Sequence, residues 1–145
     1  MRRFAAVALA AGALLTTTAI ATPAEAVPSG VHNWKYPGGL SGTWAWGSYQ
    51  PSHWGSKATV LLRFKIKDVK ADKRSACMQA RFWSGNSWEQ YTFINYHGAG
   101  TTASGGQHSY YRSHLYIREC LGYYYKSGTK KKFKVTNVSK WRSYY

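Results

Sequence analysis

Carboxylates are the scarcest functional groups in this chain. Five Asp and Glu face twenty Lys and Arg in 145 residues, for a formal net charge of +15. Chemistry that sets two carboxylates across a cleft, as in most glycoside hydrolysis, has few residues to draw on. Cysteine is limited to Cys77 and Cys120, which excludes an all-cysteine zinc site and a multi-bridge disulfide scaffold. His97, His108 and His114 lack the tight spacing and local carboxylates of a metal site, so neither a metal nor another cofactor is expected. The glycine-rich stretch at Gly98 does not end in Gly-Lys-Ser/Thr, which excludes a phosphate-cradling P-loop. Past residue 26 no apolar run nears the roughly 20 residues that span a bilayer. Nor does any stretch of about ten residues there repeat apolar positions at helical spacing.

The one long apolar run is at the front. Arg2 and Arg3 precede Ala5 to Leu15, and Ala24-Glu25-Ala26 supplies a small-x-small cleavage signal. Residues 1–26 therefore read as a secretory signal peptide. Its removal takes away Arg2, Arg3 and Glu25 and leaves the net charge one lower than +15. All seven Trp and all twelve Tyr stay in the exported chain, enough aromatic surface to build a core rather than a disordered segment. In an oxidising compartment Cys77 and Cys120 are expected to pair. The exported domain is expected in the medium or against the cell wall.

Residues 27–42, rich in Gly, Pro, Ser and Trp, read as an irregular arm, and 43–145 as one β domain. The clearest strand is Ala58 to Val69, where Val60, Leu62, Phe64 and Ile66 alternate with Arg63, Lys65 and Lys67. That is the period of a half-buried strand. Thr43 to Gln50, Ala76 to Trp83, Trp88 to Tyr96, Ser109 to Cys120, Lys132 to Val138 and Lys140 to Tyr145 read as further strands. Gly98 to Gly106 reads as a flexible loop, and Gly122 as a bulge or kink. The fold class is all-β: a single β-sandwich or Greek-key barrel of about seven to eight strands. Strict alternation puts both cysteines on the polar face of one sheet, and a bulge near either would reverse this.

Four groups of residues carry candidate chemistry. Arg112, His114, Tyr116 and Arg118 share one side of a strand, and Arg81 and Trp83 join them through the phase of the cysteines. Guanidinium forks pair with phosphate or carboxylate, and rings stack on bases or sugars; an ordinary solvated face has the same pattern. Lys126, Lys130, Lys131, Lys132 and Lys134 surround a turn, where they attract polyanions or blunt a sheet edge. Trp34, Tyr36, Trp44, Trp46, Tyr49 and Trp54 either cap a small core or form a sugar-stacking platform. For catalysis, Asp68 and Asp72 lie around one exposed turn; His97, His108, His114, Glu89, Glu119 and Arg112 supply the residue types of a small secreted hydrolase such as a nuclease, with His114 and Glu119 as the acid–base pair.

The leader ending in Ala24-Glu25-Ala26, Cys77 ahead of Arg81-Phe82-Trp83, and the late Leu115-to-Cys120 strand resemble small secreted actinobacterial proteins of unknown function. That resemblance implies a disulfide-bonded β-sandwich and export, and no activity. A weaker similarity is to the small microbial α-amylase inhibitors, β-sandwiches that use a Trp-Arg-Tyr turn. Trp141-Arg142-Ser143-Tyr144 interrupts that triplet, and one cysteine pair stands where those inhibitors have two. The leading expectation is a non-enzymatic secreted protein that binds an anionic extracellular polymer (cell-wall polymer, acidic glycan or nucleic acid) or an envelope surface. A hydrolase, and an inhibitor or antagonistic toxin acting on a protein partner, are the alternatives.

Overall fold

The computed structural model describes residues 30–54, 57–110 and 114–145. The signal segment, Tyr111 and Arg112 lie outside these residues. The chain is all-β, a sandwich of two antiparallel sheets. In order, the strands are β1 (His32–Lys35), β2 (Thr43–Trp54), β3 (Lys57–Asp68), β4 (Ser75–Trp83), β5 (Trp88–Ile94), β6 (Thr102–Tyr110), β7 (His114–Ser127), β8 (Lys130–Val138) and β9 (Arg142–Ser143). The first sheet runs β1-β2-β3-β6. The second runs β5-β4-β7-β8, with β9 also on β7. Among the described residues no helix is long and apolar enough to cross a membrane.

Alternation builds the core. Val60, Leu62, Phe64 and Ile66 of β3 face Met78, Ala80 and Phe82 of β4 and Leu115 and Ile117 of β7 in one buried cluster. Phe64 and Phe93 meet between the sheets with ring centroids 4.2 Å apart. Burying side chains of this size stabilises by about 1.5–3 kcal/mol each, so the apolar stripe on each strand fixes which face turns inward.

Three segments depart from the sequence reading. The arm expected over 27–42 carries β1, whose residues pair with Trp46 to Tyr49 and bury Trp34; four residues are too short to show a period. The loop expected over Gly98–Gly106 becomes strand from Thr102, because pairing with β3 overrides the weak strand preference of glycine. The single strand expected over Ser109–Cys120 is two. Ser109 and Tyr110 end β6 in the first sheet, and His114 begins β7 in the second.

Cys77 and Cys120 form a disulfide. They sit directly opposite in the β4–β7 register with Cα atoms 4.8 Å apart, within the range a disulfide bridges. The bond joins neighbouring strands of one sheet, as strict alternation predicts. The bulge lies one residue further on, where the β7–β8 register shifts between Leu121 and Gly122. A Cβ on Gly122 would stand 2.4 Å from the Lys134 carbonyl oxygen and 2.6 Å from Phe133 Cζ. Gly122→Ala is therefore expected to cost about 1–3 kcal/mol, measured by chemical denaturation, with an unchanged denaturation midpoint as the contrary result.

Candidate polyanion-binding face

Because Met78, Ala80 and Phe82 face the core, their neighbours Cys77, Gln79, Arg81 and Trp83 face outward. The register then fills three outer rows. Gln79 stands between Thr92 and Arg118, Arg81 between Gln90 and Tyr116, and Trp83 between Trp88 and His114. Trp141, just ahead of β9, lies across them. The Arg81 guanidinium is 4.6 Å from the Trp88 ring, 4.9 Å from Tyr116 and 4.5 Å from Trp141. The Arg118 guanidinium is also over the Trp141 ring, 4.3 Å from its centroid. Trp88, Arg81, Trp141 and Arg118 thus form a continuous set of stacked ring–guanidinium contacts. Trp83 and Tyr116 each pack on Trp88, with centroids 5.1 and 5.2 Å away.

The polar groups of the stack are oriented from beneath. Arg118 Nε donates to Gln79 Oε1 at 2.7 Å, and Gln79 Nε2 donates to Thr92 Oγ1 at 3.0 Å. Arg81 Nε is buried with no hydrogen-bond acceptor, so ring faces hold this side chain. Burial first, and the charge of Arg81 second, pull the Arg118 pKa below the usual guanidinium value. No Asp or Glu occupies an outward position of the described strands of this sheet. Two neighbouring cations packed on ring faces, one of them also bonded to the neutral Gln79, make a surface that favours an incoming anion.

Four of the sequence candidates therefore meet: Arg81, Trp83, Tyr116 and Arg118. Arg112 lies outside the described residues. Trp88, Trp141 and Gln79 complete the cluster and were not among the candidates. Trp88 could have been found by counting back across the Ser84–Ser87 turn, which sets it opposite Trp83. Trp141 has no such signal, since its place depends on the reversal between β8 and β9.

The five lysines are exposed on the β7–β8 hairpin, which runs on past the start of β4 at Ser75, opposite Gly122. Lys126 is set directly opposite Lys131, and Lys131 Nζ lies 4.5 Å over the Tyr124 ring. By the register Lys132 and Lys134 alternate with Lys131 and Phe133, so the charges occupy both faces of the ribbon rather than one. Like charges directly opposite destabilise a strand pair, and an anion relieves that cost.

His114 and Glu119 do not share a site. Five residues apart on one strand, they leave it on opposite sides; His114 is exposed and Glu119 is 1 % exposed. Glu119 Oε1 accepts the Ala45 N–H at 2.7 Å, and Oε2 accepts the Leu40 N–H at 3.0 Å. Gly39 lies so close that a Cβ there would overlap Oε2. Burial pushes the Glu119 pKa up to about 7, against the two backbone hydrogen bonds, which lower it. The side chain acts as a clamp on the segment between β1 and β2. Asp68, expected in an exposed turn, is also buried, and its Oδ1 accepts the Lys70 N–H at 3.3 Å. No group of three or more His, Cys, Asp or Glu that could hold a metal occurs among the described residues.

The N-terminal aromatics divide by strand face. Trp34 and Tyr36 are buried, and Trp34 packs on Tyr144 with centroids 5.7 Å apart. Trp44 and Trp46 turn outward from the first sheet, with Lys35 Nζ 4.5 Å over the Trp44 ring. The Trp54 side chain lies outside the described residues. Comparison with protein-family models, with characterised proteins and with solved structures finds no match.

Proposed function

We propose that this is a secreted, non-enzymatic protein that binds an anionic extracellular polymer or cell-envelope surface. The observation that carries this reading is the Trp88–Arg81–Trp141–Arg118 contact, two guanidinium groups on a face where no described strand position turns an Asp or Glu outward. The stack fixes side chains that would otherwise lose rotamer freedom on binding, and so lowers the cost of association. The lysine hairpin supplies long-range attraction and a faster encounter. Export is supported by the leader sequence and by the Cys77–Cys120 bond, since such bonds persist in oxidising compartments.

The test uses the chain from Val27 to Tyr145 and purified cell-wall sacculi, cosedimented across a salt series. Apparent affinity should fall by about 10-fold or more between 50 and 200 mM salt. Arg81→Gln with Arg118→Gln should abolish most capture at every salt. Reversing Lys126, Lys131 and Lys132 to Glu should weaken capture and flatten its salt dependence. Capture that ignores salt and survives these substitutions would reject the reading.

A further inference from the structure

The outer face of the first sheet has the same chemistry as the stacked face and no role in the site above. The inward set of β3 leaves Arg63, Lys65 and Lys67 pointing out, and the register places Trp46 beside Lys65, Ser48 beside Arg63 and Trp44 beside Lys67. Lys35 joins the Trp46 row from β1. From β6 come only small groups: Thr102, Ser104 and Gly106 in the same rows. No Asp or Glu occupies an outward position of the described strands here.

Small residues beside large ones leave a trough. The Gly47 and Gly105 row lies low between an Arg63 and Ser48 row and a Lys65, Trp46 and Ser104 row, in an open hollow of about 520 Å³. A second hollow of about 330 Å³ adjoins it between Trp46, Trp44 and Lys35. The floor is fixed by the core, because a Cβ on Gly105 would stand 2.6 Å from the buried Phe64 ring.

We propose that this trough is a second binding site, for a segment of acidic polysaccharide, which makes the protein bivalent across its two outer faces. The inference extends the polyanion-binding reading and rests on it for the opposite face only. Arg63 and Lys65 match a carboxylate or sulfate. The Trp46 indole offers an apolar plane to a sugar ring. Asn33, Ser48 and Ser104 supply the amide and hydroxyl partners that sugar hydroxyls require. A nucleic-acid track would call for successive stacking platforms along a basic groove; the trough itself presents one indole, Trp46, beside Arg63, Lys65 and the short polar side chains of Asn33, Ser48 and Ser104, and Trp44 belongs to the adjoining hollow. Because the faces lie on opposite sides of the sandwich, one molecule holds two chains at once.

The experiment is calorimetric titration of the chain from Val27 to Tyr145 with a short homogeneous oligogalacturonate, with a neutral dextran oligomer and a single-stranded DNA oligomer as comparison ligands. Two oligogalacturonates per protein are expected, and Trp46→Ala with Arg63→Ser and Lys65→Ser should reduce this to one. These side chains are exposed or half-buried, and near-ultraviolet circular dichroism checks that the variant is folded. Arg81→Gln with Arg118→Gln should also leave one, by loss of the other site. A stoichiometry unchanged by the Trp46, Arg63 and Lys65 substitutions overturns the second site. A stoichiometry unchanged by the Arg81 and Arg118 substitutions overturns the stacked-face reading and leaves the trough standing. DNA or dextran competing for the trough as well as oligogalacturonate overturns the ligand class.

Discussion

Replacing Cys77 and Cys120 together by Ala is expected to destabilise the domain by about 2–5 kcal/mol. Both residues are fully buried, and 43 positions separate them. A closed loop of that length removes roughly 4 kcal/mol of chain entropy from the unfolded state. Alanine leaves no unpaired hydroxyl in the space the sulfurs occupied, so the measurement reads the loss of the cross-link. The melting temperature should fall by roughly 10–20 °C. The bond also lies one row from Gln79 and Arg118 on the outer face, so its loss loosens the support of the guanidinium stack. The variant should show weaker wall capture even at temperatures where it is folded. A fall of under 1 kcal/mol would mean that apolar packing alone defines the β4–β7 pair.

Stability should rise as the pH is lowered from 8 to 5, and Glu119 is the cause. Its folded pKa of about 7 lies above the ordinary glutamate value of 4.5, so folding favours the protonated carboxyl. This stabilisation is fully present below pH 4.5 and is lost as the pH rises through 7. The two values together correspond to about 3 kcal/mol. Lys35 and Tyr36 line the same pocket, and burial first, with smaller contributions from Tyr36 and the Glu119 charge, holds the Tyr144 hydroxyl above its usual pKa. That titration falls outside the window, and Asp72, held low by Arg74, titrates below it. Urea midpoints at pH 5 and pH 8 measure the effect. Glu119→Gln should flatten the difference. A difference that persists in this variant would remove Glu119 as its cause.

How far the sequence revealed these features depended on the reach of each signal. The alternation of Val60, Leu62, Phe64 and Ile66 was legible because a period of two is local, and it placed β3, its inner face and its basic outer face correctly. The same logic offered a disulfide within one sheet, but a bulge near either cysteine would have reversed it, and the period alone does not decide between the two. Glu119 was legible only as an acid–base candidate. That it is buried, and serves the Leu40 and Ala45 N–H groups, depends on contacts 79 and 74 residues away, for which no local pattern exists. Trp141 joined the candidate site for a similar reason. The outer trough was half legible: Arg63 and Lys65 were visible on one face, but the pairing that brings Ser104 and Gly105 beside them lies within a segment whose composition reads as loop.

The two ends of the described chain hold each other. Tyr36 donates its hydroxyl to the Lys140 carbonyl, across 104 positions, and Tyr144 donates its hydroxyl to the Lys35 carbonyl, across 109. Contacts of such separation make folding slow. The β2–β3, β4–β5 and β7–β8 hairpins can each form within microseconds, while the seam waits for both sheets to meet, and all-β domains of this kind fold in about milliseconds to seconds. Trp34, packed on Tyr144 in that seam, should therefore acquire its native fluorescence in the slowest phase. The β4–β5 tryptophans Trp83 and Trp88 lie in a local hairpin and would change earlier. The seam is thus the kinetic lock of the molecule, set by two tyrosine hydroxyls at opposite ends of a long chain path.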